Sequence, residues 1–204
     1  MNRIVLGLSV AVGVSIATSA SAWVPAAPRT HDRFYLQATT GFGYLTTSNS
    51  DLGRDQSVSG MTWSTSLQLG TSLMPGLALG GGFLVDYSFS PTTKWNGVEV
   101  ANSPIASQYA LGIGPFVDYY PNPTGGLHFQ GMVGWGRLNS NGNGDVSIDS
   151  PSGLMFLVGG GHDWWIADQW SVGVLGRIAI APMWYEGVSY VTIAPAVLAT
   201  VTYY

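Results

Sequence analysis

The sequence predicts an all-β protein, an eight-stranded antiparallel up-and-down barrel that crosses a membrane on its strands. Three observations lead there. Eight stretches between Phe34 and Tyr204 alternate apolar residues with small or polar ones, so each has one face for lipid and one for a packed or wet interior. The connections between these stretches are alternately short and long. Charged residues make up only 9% of the chain, against roughly a quarter in soluble domains. So little charge leaves little surface suited to water.

The chain opens with Arg3 after Met1, an almost wholly apolar run from Ile4 to Ala17, and the small-x-small triplet Ala20-Ser21-Ala22. This pattern predicts a signal peptide over residues 1–22, cleaved after Ala22. The run is shorter than the roughly 20 residues a membrane helix needs. With no cysteine, neither a disulfide framework nor a thiol-linked lipid is available, so export alone sets the location. Residues 23–33 carry Pro25 and Pro28 without periodicity and are expected to form a periplasmic segment before a barrel domain over residues 34–204.

The first stretch, Phe34 to Leu45, sets Phe34, Leu36, Phe42 and Tyr44 outward and Tyr35, Gln37, Thr39 and Gly41 inward. In the second, Gly60 to Leu73, Trp63, Leu67 and Leu69 oppose Ser64, Ser66 and Gln68. Met74-Pro75-Gly76 turns it tightly into the third, because Pro presets the turn and Gly tolerates positive φ. Leu77 to Phe89 alternates most cleanly, with Leu79, Phe83, Val85 and Tyr87 on one face and Gly80, Gly82, Asp86 and Ser88 on the other. The fourth, Gln108 to Tyr120, sets Tyr109, Leu111, Ile113 and Val117 against Ala110, Gly112, Phe116 and Asp118.

Pro121 to Gly126 leads into the fifth, Leu127 to Leu138, where Phe129, Val133 and Trp135 oppose Gln130, Gly134 and Gly136. The sixth, Leu154 to Ile166, takes its phase from placing Asp163 inward, since Leu157 and Trp165 break the alternation. The seventh, Trp170 to Met183, points Arg177 inward between Gly176 and Ile178. The eighth, Tyr190 to Tyr203, sets Val191, Ile193, Val197 and Val201 against Thr192, Ala194, Thr200 and Thr202. The even count is the one bacterial single-chain barrels have, and their long loops face outside. Thr46 to Ser59, Ser90 to Ser107, Asn139 to Gly153 and Trp184 to Ser189 should therefore face outside, with the tight turns and both chain ends in the periplasm.

An eight-stranded barrel is just wide enough for its own side chains. Glycines such as Gly41, Gly70, Gly112 and Gly134 line the inward face, leaving two readings. Either Tyr35, Phe116, Met132 and Leu157 fill the lumen, or a cavity remains. A lumen polar network is expected from Gln68, Asp86, Asp118, Asp163 and Arg177, with the arginine held by Asp118 or Asp163 below it or by Asp86 above. The three histidines, His31, His128 and His162, have no G-x-S-x-G or other nucleophile motif beside them. No catalytic residue, metal site or cofactor motif is expected. The net charge of −4 includes no basic cluster, so no nucleic-acid partner is expected either.

The leader, the eight amphipathic stretches and the ending Val197-Leu198-Ala199-Thr200-Val201-Thr202-Tyr203-Tyr204 together resemble the small outer-membrane barrels of the OmpA/OmpX type. The resemblance implies a location in the bacterial outer membrane, contact with its lipid, and a terminal aromatic signal read by the barrel-assembly machinery. The outward phase ends on Tyr203, so Tyr204 is one residue more than that signal asks. Pattern of this kind speaks to fold and location, not to activity. The expected role is non-enzymatic, structural or surface contact through the loops, with a narrow conduit or carrier as the alternative and a lipid-modifying enzyme behind both.

Overall fold

The computed structural model describes residues 29–51, 54–101, 103, 105–142 and 150–204. The expected signal peptide, most of the segment over residues 23–33, and residues 143–149 of the Asn139 to Gly153 connection lie outside the described residues. Every element within them is a strand: β1 (Phe34–Asp51), β2 (Arg54–Met74), β3 (Leu77–Phe89), β4 (Thr92–Trp95), β5 (Val98–Glu99), β6 (Ile105–Tyr119), β7 (Leu127–Gly142), β8 (Ser152–Trp165), β9 (Trp170–Tyr185) and β10 (Val188–Tyr203). The long strands follow one another antiparallel around a ring, β1-β10-β9-β8-β7-β6-β3-β2, closed by the pairing of β1 with β2. A ring leaves no unpaired edge in the wall, as backbone within a membrane requires.

The expected faces are the observed ones. Phe42, Ile113 and Val197 stand outside, 62 to 65% exposed, while Tyr35, Gln37, Leu84 and Asp118 are buried within. A continuous apolar outer face is untenable in water and at home against acyl chains. Aromatic rings gather toward its two margins. Phe34, Trp170 and Tyr203 pack together near the tight turns, and Tyr87 packs with Phe89 and Tyr109 near the opposite end. Amphipathic rings favour these interfacial levels.

Turn chemistry agrees with the local sequence. Pro75-Gly76, with Gly76 at φ 83°, joins β2 to β3 as expected. Asn96-Gly97 and Glu186-Gly187, all at positive φ, make the two-residue hairpins β4–β5 and β9–β10. All four expected loops are shorter than the sequence suggested: Asn139 to Gly142 continue β7, and Ser152 and Gly153 already belong to β8. β1 and β2 stay in register up to Asp51 opposite Arg54, so most of Thr46 to Ser59 is wall. Ser90 to Ser107 contains the β4–β5 hairpin, which takes over the edge of β2 from Ser59 to Gln56 beyond the end of β3. Trp184 to Ser189 reduces to the turn at Glu186-Gly187. Above the lipid the outer face of a strand meets water, so the apolar alternation fades while the hydrogen-bond ladder continues.

Inside, the lumen is filled. One connected apolar cluster includes Tyr35, Leu84, Phe116, Met132, Met155, Leu157 and Met183, so the expected fillers are in place. The inward glycines allow strands to coil closely over this filling.

Candidate functional site

Arg177 lies on β9 and Asp86 on β3. Three strands separate these two in either direction around the ring, so the side chains meet across the full width of the lumen. Nη2 of Arg177 donates to Oδ1 of Asp86 at 2.6 Å, with both side chains buried. Small register neighbours make the room: Gly159 and Ala196 beside Arg177, Ser64 and Ala110 beside Asp86. Of the three acids that could have held the arginine, Asp86 does so. The contact is a single point, because Nε and Nη1 of Arg177 and Oδ2 of Asp86 have no partner among the described residues.

The other expected polar residues converge near the tight turns. Asp118 accepts from the Tyr35 hydroxyl at 2.5 Å, lies 2.9 Å from Nδ1 of His128, and accepts from the Gln130 amide at 3.3 Å. Gln130 and Gln68 exchange amide hydrogen bonds at 3.2 Å, and Gln130 also donates to Gln37 on the opposite side of the ring. Asp163 accepts from the hydroxyls of Thr200 at 2.8 Å, Tyr120 at 3.0 Å, Tyr204 at 3.2 Å and Ser171 at 3.3 Å. The Tyr120 and Tyr204 hydroxyls are themselves 2.6 Å apart. What the sequence offered as one network is thus two, a cross-lumen ion pair and a carboxylate-centred plug. Buried carboxylates so surrounded have their hydrogen-bonding capacity met, which is the condition for holding them away from water.

Tyr204, the residue in excess of the terminal signal, turns inward and belongs to this plug. So do Tyr120, His128, Gln37 and Gln130, which the sequence reading left out of the network. The signal was strand parity: Tyr120 shares the face of Asp118, His128 that of Gln130, and Tyr204 that of Thr202. His31 precedes β1, and no parity could have placed it. Its ring stacks on Tyr120 at 3.7 Å and on Trp165 at 4.8 Å, and Nε2 lies 2.9 Å from the Gly125 carbonyl oxygen.

Burial pushes the His31 pKa down from its ordinary 6.5, outweighing the Gly125 carbonyl and the carboxylates of Asp163 and Asp118, which favour the charged ring; His128 adds a small downward push. The detached segment therefore binds a proton more readily than the docked ring does, and docking is fully favoured only above about pH 6.5. Lowering the pH from 7.5 to 5 should accelerate exchange of the Gly76 amide, which donates to the His31 carbonyl at 2.8 Å, beyond its intrinsic change. His31→Phe keeps the stack and should flatten that pH response. An unaltered response in this variant would assign the effect to another group.

In chemical terms the plug holds an Asp–His pair whose outer nitrogen, Nε2 of His128, hydrogen-bonds no hydroxyl among the described residues. Nε2 of His128, where a triad would present a hydroxyl, instead faces Oδ1 of Asp163 at 3.9 Å. His162 points outward, away from Asp163. Among the described residues no group of three His, Asp or Glu side chains is placed to share a metal ion.

A closed ring of eight antiparallel strands, apolar outside and plugged within, decides the architecture. The fold is that of the small eight-stranded outer-membrane barrels. The barrel is similar to the Neisserial surface protein A, NspA, with a TM-score of 0.58 and 16% identity over 83% of this chain and 96% of that one. It is also similar to the outer membrane protein OprG from Pseudomonas aeruginosa, with a TM-score of 0.52 and 10% identity over 87% of this chain and 99% of that one. No protein-family model matches the barrel sequence, and no curated protein sequence does so. At these identities the likeness speaks to the fold.

Proposed function

We propose that this chain is a non-enzymatic outer-membrane barrel, exported by its leader, whose role lies in contacts made at the loop end outside the cell. The observation that carries this reading is the contrast between the two ends. The turn end is stoppered by Tyr35, Tyr120, Tyr204 and His31, whereas β2 runs for 21 residues and carries the wall beyond what a membrane spans, about 9 to 11 residues per tilted strand. Long connections face outward in bacterial barrels, which gives the loop end to the cell surface. Outer-membrane lipid would cover the apolar band, and the barrel-assembly machinery would insert the chain. A His128 that faces carboxylates rather than a hydroxyl speaks against acyl-transfer chemistry on lipid.

Planar-bilayer recording of the purified full chain, combined with protease treatment of intact cells, tests the reading. The expected results are no conductance steps, a mature chain beginning at Trp23, and cleavage within Asn139 to Gly153 while Met74-Pro75-Gly76 is spared. Reproducible conductance would replace the surface role by the narrow conduit. Exclusive cutting at the tight turns would invert the orientation.

A further inference from the structure

At the loop end the lumen opens into a chamber of about 70 Å³ whose walls come from β1, β2, β6, β7 and β10 and from Pro151. Its lining divides by chemistry. Val58, Ile105, Leu138 and the ring of Tyr190 give an apolar side, and hydroxyls and amides from Thr47, Asn49, Gln56, Gln108 and Ser140 give a polar one. None of these residues carries a carboxylate, an ammonium or a guanidinium group. Gln108 is 2% exposed; its amide nitrogen donates to Oγ of Ser140 at 3.2 Å, and its carbonyl oxygen has no partner. Among the described residues that oxygen is unpaired and closed off from the chamber as placed, so a guest's hydroxyl would meet the Gln108 amide once its side chain turns toward the opening.

We propose that this chamber binds a neutral saccharide, seating one hydroxyl-bearing edge of a terminal sugar whose remainder projects outward. The proposal rests on the reading that the loop end faces the outside. Neutral amides and hydroxyls match sugar hydroxyls as both donors and acceptors, and the apolar side with Tyr190 suits the C–H face of the ring. A charged guest would surrender its hydration for no counter-charge, and a purely apolar guest would leave the amides unmet. The volume, room for about two waters at roughly 30 Å³ each, accepts a ring edge but not a whole pyranose.

Saturation-transfer NMR on the folded full-length barrel in detergent micelles tests this with glucose, galactose and N-acetylglucosamine, and with glucosamine and glucuronate as charged counterparts. Transfer to at least one neutral sugar is expected, with weaker transfer to both charged ones. Gln108→Met should raise the dissociation constant about tenfold, the equivalent of one well-placed hydrogen bond, while the unboiled gel mobility stays unchanged. Asn49→Ala, at the half-buried rim, should also weaken binding and serves if the first variant does not fold. No transfer from any neutral sugar, or undiminished binding in both variants, overturns the proposal. A barrel that binds no sugar yet is non-conducting and cut only at the loop end loses the chamber and keeps the surface role. A barrel that binds sugar and conducts keeps the chamber and loses the surface role.

Discussion

Replacing Arg177 with methionine is expected to destabilise the barrel by about 3 to 5 kcal/mol, because it leaves a buried carboxylate without its counter-charge. Asp86 is 1% exposed, and among the described residues the only hydrogen-bond partner of its carboxylate is the guanidinium across the lumen. The pair also ties β9 to β3 on opposite sides of the wall, so losing it removes a strut as well as a charge. Heat-modifiability gels read the outcome as loss of the compact unboiled band. Replacing both partners, Arg177→Met with Asp86→Leu, should restore most of that band, since apolar pairs of similar volume replace buried ion pairs at little loss. A single variant as stable as the parent would mean that Asp86 is hydrated, and would revive the conduit.

Gly80→Val is expected to prevent the barrel from closing, whereas Gly81→Val, the next residue, should be close to neutral. The two glycines lie on opposite faces of β3. A Cβ on Gly80 would run into the Leu69 carbonyl oxygen and stand 2.5 Å from the Cα of Gly70, its register partner. Backbone cannot yield there without parting β2 from β3, so the penalty exceeds the about 1 to 3 kcal/mol usual for overpacking. At Gly81 an added Cβ meets nothing within 4 Å, and valine suits a strand facing lipid. The yield of folded protein after refolding into detergent separates the two. Equal yields would show that the wall at Gly70 and Gly80 is looser than its geometry.

Most of the wall was legible because lipid on one side and a packed lumen on the other impose a period of two. That period located all eight long strands, their facing, and the inward position of Gln68, Asp86, Asp118, Asp163 and Arg177. It failed where one solvent gave way to another. Thr46 to Asn49 pair as strand, but water replaces lipid outside them, so no apolar face announces the ladder. Asn96-Gly97 carried a hairpin signal within Ser90 to Ser107 that loop-like composition concealed. The plug was half legible: parity places Tyr120, His128 and Tyr204, yet which hydroxyl reaches which carboxylate depends on shear between distant strands. The docking of His31 depends on the turns around it, and no local pattern encodes that.

The alternation of facings also sets how such a chain can drift over evolutionary time. Outward positions such as Ile113 and Val158 answer to a fluid surround that accepts almost any oily shape, so exchanges there go largely unnoticed by selection. Inward positions are keyed to individual counterparts, as Arg177 is to Asp86 and Gln130 to Gln37, and can change only in concert. Substitutions should therefore accumulate on every second residue and arrive on the others as compensating pairs. A wall built this way can keep its shape while most of its residues differ, as the like fold of NspA at 16% identity illustrates.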